Sequence, residues 1–585
     1  MRLRALLVLS FLVAFPLMAD PPARVVRLNL TDGVVSFRPA GIDEWTDATV
    51  NRPLIDGDEL WTDASSRAEM HIASAAVRLG PSTSFGIVSV NDRVAQLRVT
   101  AGTASIRVRG IGEDDVWEVD TPNASISLLR PGRYRIDVAE DGGTTVVTAR
   151  GGEAEVTAGG SAFPVRAGDR AEITGDGDNQ SHDVNAAPAA DRFDRWCSDR
   201  DRREEKLAAL EHVPRDMVGY EDLDANGSWR LVADYGWVWR PTYVVAGWAP
   251  YRYGHWAWVE PWGWTWIDDA PWGFAPFHYG RWAYFESGWI WVPGRIVHPV
   301  YAPALVAFGG GGAGWHANLT VWWPLAPGEV FVPAYRVAPA YVRNINAPVV
   351  NVTRINVTNI NVTNVHYRNQ GVAGGVTAVS REAFVGARPV ASSTVAMSMA
   401  QVTSVKAIGT TAPVAPNTTS VLGHTHAVAR AAVVPPQAVV ARSVIARTPP
   451  PPPPIPFRAK ETVLAQNPGK PLTPDTVKEL RVSGAAPTTS SVVRPLMTST
   501  PPPKARTLKT DTTVKEQTTT TTSATTTSGP RTMHTPPRHV AATTTSATTT
   551  TAVTTTSGGT HNKTQEKKPK PKEKDKEPKK EPRKD

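Results

Sequence analysis

The sequence predicts a mainly β protein: an all-β sandwich, roll or solenoid, then a Trp-rich domain of repeated β-hairpins, with a short connector helix between them and a long disordered C-terminal tail. Three observations carry this. Residues 24–180 alternate apolar and polar side chains in short runs separated by Gly, Pro and Asp turn signals, the period-2 pattern of half-buried strands. Sixteen of the twenty tryptophans fall between Trp229 and Trp323, and they recur at a fixed spacing. From residue 371 the composition turns to Ala, Val, Pro, Thr and Lys, which buries too little apolar area to offset the entropy of ordering the chain.

Residues 1–19 have the layout of a secretory signal. Arg2 and Arg4 precede the apolar run Ala5–Val13, and Ala19 stands before Asp20 as the small residue of a cleavage site. The expected location is therefore the periplasm, the cell envelope or the exterior. No later run reaches the roughly 18 uninterrupted apolar residues of a spanning helix, so the mature chain is expected to lack a transmembrane span. The single cysteine, Cys197, precludes an internal disulfide framework and is expected to be a buried thiol.

Between residues 24 and 180 the strand-like runs include Val34-Val-Ser-Phe37, Gln96-Leu-Arg-Val-Thr100, Tyr134-Arg-Ile-Asp-Val138 and Thr144-Thr-Val-Val-Thr148, divided by turns such as Asp56-Gly57 and Asp141-Gly142-Gly143. Gly57-Asp58-Glu-Leu60-Trp-Thr62, Ser66-Arg-Ala-Glu69, Arg78-Leu79-Gly-Pro81-Ser-Thr83, Val119-Asp-Thr121-Pro122-Asn123-Ala124 and Gly151-Gly-Glu-Ala154 follow in an order that resembles a FecR-type domain, the periplasmic module of iron-dicitrate sensor proteins. The resemblance implies a signalling accessory. Such regulators carry an anti-sigma segment and a membrane span ahead of this domain, and the residues before Arg24 are expected to supply neither.

Residues 190–214 are dense in balanced charge, with Phe193, Trp196, Leu207 and Leu210 as a partial apolar stripe, and predict a surface helix ended by Pro214. In residues 219–345, Trp248-Ala-Pro-Tyr251-Arg-Tyr-Gly254-His-Trp256 returns 26 residues later as Phe274-Ala-Pro-Phe277-His-Tyr-Gly280-Arg-Trp282. Gly-Trp-x-Trp occurs at Gly236, Gly263 and Gly288. Each unit spans two short strands and a turn, so three hairpins are expected, stacked in register. With its signal, connector and Trp repeats, the chain resembles a family of exported bacterial proteins whose Trp-rich part is a domain of unknown function. Asp191-Arg-Phe-Asp-Arg-Trp196-Cys197, Pro271-Trp-Gly-Phe-Ala-Pro276 and Trp323-Pro-Leu-Ala-Pro-Gly-Glu329 carry that likeness.

Residues 346–370 hold three Asn-Val-Thr copies and predict an extended strand or linker. In the tail, Pro449–Pro456 predicts polyproline II, a stiff spacer or a docking ligand. Thr473-Pro474 predicts the start of one short helix through Leu480. Thr518–Thr556 and the Lys-rich end are expected to be disordered. The formal net charge of +8 comes largely from the tail, where Lys563–Asp585 carries eleven basic and six acidic residues. The folded part is close to neutral, which speaks against nucleic acid as a partner, while the basic end suits contact with an anionic surface.

Nothing in the sequence nominates an enzyme or a cofactor. Gly309-Gly-Gly311-Gly-Ala-Gly314 fits G-x-G-x-x-G, but a strand-like run follows where a dinucleotide site needs a helix. Asp222-Leu-Asp224-Ala-Asn226-Gly227 starts like a calcium loop but has Ala233 at the twelfth position. The histidines show no zinc spacing, so no metal site is expected. The aromatic surplus remains. Trp256, Trp258, Trp262, Trp264 and Trp266 are more rings than one strand face can hide, and exposed apolar patches mark binding sites. Trp258, Trp262, Trp272, Tyr251 and Tyr279 are the expected aromatic binding face. The function expected is a non-enzymatic binding or scaffolding role at the cell envelope, with an envelope protein, or glycan or peptidoglycan, as partner. The alternatives are a FecR-type sensor accessory and a glycan-binding module.

Overall fold

The structure, a computed structural model, describes residues 20–310, 318–349, 365–423, 432–484 and 493–495. The signal at 1–19, the glycines from Gly311, the Asn-Val-Thr copies from Asn351 to Asn364, the Thr-rich run and the Lys-rich end lie outside the described residues.

The mainly β expectation holds. The first domain consists of two sheets that share one strand, the 15-residue Val94–Val108. One sheet runs in the order Pro53–Leu54, Val26–Asp32, Arg67–Ile72, Ala75–Leu79, Val94–Val108, Gly132–Val138, Thr144–Gly151, Asp169–Thr174, Ser181–Ala186. The other runs Thr46–Asp47, Val35–Arg38, Glu59–Thr62, Thr83–Val90, Val94–Val108, Val116–Asp120, Ser125–Leu128, Glu153–Ala158, Ser161–Arg166. The long strand changes sheets near Gly102, whose φ is +86° and where a Cβ would lie 2.5 Å from the Thr83 Cα, so a side chain is excluded there. Leu28, Leu97, Val119, Tyr134, Val147 and Val156 lie in the core between the layers, with polar residues alternating outward. Of the three expected architectures the structure is the sandwich.

The connector helix is Arg192–Glu204, opened by an Asp191–Asp194 capping box. It stops ten residues short of Pro214, and a 3₁₀ turn, Ala208–Glu211, fills part of the gap.

The three expected hairpins are present: Gly227–Val232 with Gly236–Pro241, Gly254–Val259 with Gly263–Asp268, and Arg281–Phe285 with Gly288–Val292. Their registers are equivalent, pairing Trp229 with Trp239, Trp256 with Trp266, and Trp282 with Trp291. They do not stack in sequence order. The first and third join through Trp239–Trp291, while the second forms its own two-stranded sheet. Its strand Gly254–Val259 is instead covered by the short helices Arg381–Val385, Val390–Ser393 and Thr418–Leu422.

Those helices correct the expectation of a tail from residue 371. Thr377–Ser380 and Lys406–Gly409 are the edge strands of a four-stranded sheet around Leu319–Pro324 and Val306–Gly310. Phe384, Val390, Val421, Phe457 and Leu464 enter the core built by the tryptophans. The compositional argument asked whether this segment could build a core of its own. It need not, because it adds to one already dominated by aromatic area. The helix after Thr473 is present as Pro474–Val482, with the Thr473 hydroxyl accepting from the Thr476 N–H at 3.2 Å. Among the described residues no helix is long and apolar enough to cross a membrane.

Candidate functional site

The five residues expected to form an aromatic face are all interior. Tyr251, Trp258, Trp262, Trp272 and Tyr279 are each at most 4% exposed. Trp258 meets Trp264 edge-on at 5.6 Å, Trp262 meets Tyr301 at 4.7 Å, and Trp272 lies 5.0 Å from Trp239. The Tyr251 hydroxyl donates to the Phe277 carbonyl at 2.8 Å and accepts from the Leu305 N–H. The Tyr279 carbonyl accepts from the Trp291 indole at 2.8 Å. The expectation failed because it allowed each hairpin one buried face. The second hairpin is buried on both.

The aromatic surface lies on the first hairpin instead. Leu231 and Trp237 are cross-strand partners and are 68% and 47% exposed, with Tyr243, Val244 and Val245 exposed in the following loop. The His212 ring stands 4.4 Å from Trp229 and 4.5 Å from Trp237, and desolvation there lowers its pKa. No local signal in the sequence marked this hairpin: Gly227–Val232 is a sheet edge, but so are Arg281–Phe285 and both strands of the buried second hairpin.

A second site was missed altogether. The buried face of the connector helix is Asp194, Cys197, Asp201 and Glu204, not the apolar stripe expected. It lies on a sheet face that presents arginines. Arg78, fully buried, donates to Glu69 at 2.5 Å, Asp201 at 2.6 Å and Glu204 at 3.0 Å. Arg133 holds Asp201 at 2.7 Å, Arg109 holds Glu204 at 2.5 Å, and Arg150 holds Asp194 at 2.7 Å. From the helix, Arg200 reaches back to both oxygens of Glu69. His71 sits at the centre, with Glu69, Glu204 and Glu221 oxygens at 3.7, 3.5 and 3.6 Å. Glu221 belongs to the entry of the Trp domain, and its neighbour Asp222 pairs with Arg27 of the sandwich at 2.7 Å. One cluster thus ties the sandwich, the helix and the Trp domain.

The field in this cluster has clear directions. Burial disfavours the His71 imidazolium, but Glu221, Glu204 and Glu69 outweigh it and hold its pKa above the usual value. Burial would raise Glu69, yet Arg78, Arg200 and His71 hold it far below the carboxylate range. Glu204 is likewise driven to about 2 by His71 and Arg78 against desolvation. Glu69, His71 and Glu204 offer ligand atoms within 4.8 Å of one another. The Arg78 and Arg200 guanidiniums already occupy both oxygens of Glu69, and they would repel a dication. The chemistry of the cluster is ion pairing.

The remaining motifs fall in structural roles. Leu223–Asn226 is one helical turn leading straight into a strand, and Asp224 accepts the Ala209 N–H at 3.1 Å. The glycine run starts at the end of strand Val306–Gly310, and the next described element is strand Leu319–Pro324. His278 is buried and lowered to about 3 by desolvation, beside the Ala302 carbonyl. Cys197 is a buried free thiol, raised to about 11 by desolvation.

Comparison with known proteins gives the class. A family model described as the FecR protein matches residues 58–155, inside the sandwich. The chain thus pairs a match to a FecR domain with a match to an additional domain of unknown function. That second domain, residues 220–329, matches the family of unknown function DUF6600 and contains the three hairpins. No curated protein matches the chain. Two solved structures of a candidate anti-sigma factor from Parabacteroides distasonis, at 1.65 and 2.50 Å, are 15% and 16% identical to it, with a TM-score of 0.20 in each case. Each likeness covers 22% of this chain and 60% of the solved chain.

Proposed function

We propose that the chain is a non-enzymatic, exported accessory of a FecR-type signalling system, acting at the cell envelope through contacts with a membrane sensor or receptor. The observation that carries this reading is the fusion of a FecR domain to a second domain through a buried ionic joint. A joint of this kind holds two domains in one relative pose, which suits a part that passes a contact on one domain to the other. The test is a photo-crosslinker at Leu231 or Tyr243 in living cells, with sigma-factor-dependent transcription followed in the deletion strain. A crosslink to a membrane sensor or receptor and an altered transcriptional response are expected. An unchanged response with no such crosslink refutes the reading.

A second reading has its own support. The exposed Leu231–Trp237 pair, backed by His212, offers a ring face to a sugar. Glycan or peptidoglycan binding would then be lost in Trp237→Ala while the fold survives. No fluorescence change across a glycan panel would dismiss it.

A further inference from the structure

The FecR sandwich has one outer face that is polar yet buried. In strands Val94–Val108 and Val116–Asp120, Leu97 and Val119 point into the core. Gln96, Glu118 and Asp120 alternate with them on the opposite face, where solvent is the usual neighbour. All three are fully buried. What covers them is a segment of this same chain, residues 442–448.

The contacts are those of a bound peptide. The Ile445 N–H donates to the Thr121 carbonyl at 2.9 Å. The Arg447 N–H, the Thr448 N–H and the Thr448 hydroxyl donate to the Glu118 carboxylate at 2.7, 3.0 and 2.6 Å. The Gln96 amide donates to the Thr448 carbonyl at 2.9 Å. The Arg447 guanidinium donates to Glu155 at 2.5 Å, and that of Arg442 to the Glu140 carbonyl at 2.8 Å. Val444 and Ala446 pack on Val88. Further along, the proline run lies against the sandwich. A Cβ on Gly57 would stand 2.4 Å from Pro454 Cγ, and one on Gly41 2.5 Å from the Ile455 carbonyl oxygen.

Main-chain pairing supplies affinity in such a contact, and side-chain pockets supply selectivity. Here the selective part is acidic. Glu118 and Asp120 lie two residues apart on one face, and a segment dense in donors, with a cation aimed at Glu155, is what that face accepts. We propose that this face is a recognition site for an extended peptide carrying arginine followed by threonine or serine, and that residues 442–448 occupy it as a tethered ligand. The natural occupant in trans is a segment of a partner protein with the same chemistry. It displaces the tether on binding. This goes beyond the signalling reading and stands without it.

The test uses the full chain and a fluorescent synthetic peptide of residues 442–457. Two variants weaken the tether without touching the sandwich: the double variant Arg447→Ala with Thr448→Ala, and Ile445→Pro, which removes the N–H that Thr121 accepts. A tether lowers apparent affinity by the fraction of time it leaves the site open. Both variants are therefore expected to bind the peptide about tenfold tighter, or more, than the wild-type chain. A peptide lacking the arginine and threonine should not compete, and adding Glu118→Gln to either variant should abolish binding. If both variants keep the wild-type circular dichroism and neither binds the peptide better than the wild type does, the proposal is overturned. Equal binding of the peptide lacking the arginine and threonine overturns it too.

Discussion

Replacing Arg78 with methionine removes the charge at the centre of the ionic joint and keeps most of the apolar stem. Three charge-assisted hydrogen bonds are lost, to Glu69, Asp201 and Glu204. None of these carboxylates is wholly abandoned. Arg200 stays on Glu69, Arg133 on Asp201 and Arg109 on Glu204. Bonds to charged groups contribute roughly 1.5–3 kcal/mol each, which gives an upper range. The retained partners bring the expected loss to about 3–5 kcal/mol, the cost of breaking a buried pair by removing one member. Arg202→Met is the control. It lies on the connector helix and pairs with Asp199 where both side chains are exposed, so about 1 kcal/mol or less is expected. Urea unfolding followed by circular dichroism measures both. A loss below about 1 kcal/mol for Arg78→Met, or equal losses for the two variants, would refute the idea that the joint is dry and tightly paired.

Acid should open the same joint. Glu204 falls from an ordinary 4.5 to about 2 in the folded chain, so its contribution is full above pH 4.5 and disappears as pH drops toward 2. Stability measured across that interval should fall less steeply in Glu204→Gln, and parallel curves would contradict the assignment. Trp266→Ala removes a fully buried ring whose indole donates to Asp268 at 3.0 Å and should cost about 3–5 kcal/mol. Trp237→Ala should stay within about 1 kcal/mol, and thermal melting separates the two. The Cys197 thiol should resist a thiol reagent at neutral pH until denaturant is added, because burial keeps it protonated. Rapid labelling of the folded chain would count against that burial.

The hairpins were legible because their signal is local. Gly-Trp-x-Trp at a period of 26 residues sets strand, turn and register within one unit, and all three registers came out equivalent. Which hairpin pairs with which was not legible. That choice depends on segments more than a hundred residues downstream, such as Phe384 beside Trp256 and Trp264. The binding face was misplaced because contacts between units of the Trp domain bury it: Trp262 lies on Tyr301, Trp272 on Trp239 and Tyr251 on Phe277. The ionic joint left a trace that went unused. Asp194, Cys197, Asp201 and Glu204 recur at helical spacing, and Arg107, Arg109, Arg133 and Arg135 at strand spacing. Complementary charge on two unlike periods is a docking signal, visible only when the helix and the strands are considered together.

The crowding of indoles has an optical consequence. Trp256 stands at 68° to Trp266 and 82° to Trp322, each at 5.5 Å, and Trp258 stands at 85° to Trp264 at 5.6 Å. Chromophores this close and this strongly crossed share excitation, so the protein should show an exciton couplet in its circular dichroism. Excitation absorbed in the interior migrates between rings before it is emitted. The indoles approach the surface through Trp291 and Trp229. From Trp229, transfer through space reaches Trp237 on the other side of His212, and contact with water makes Trp237 the low-energy trap. The core then acts as an antenna, and whatever touches Trp237 changes the light from the whole cluster.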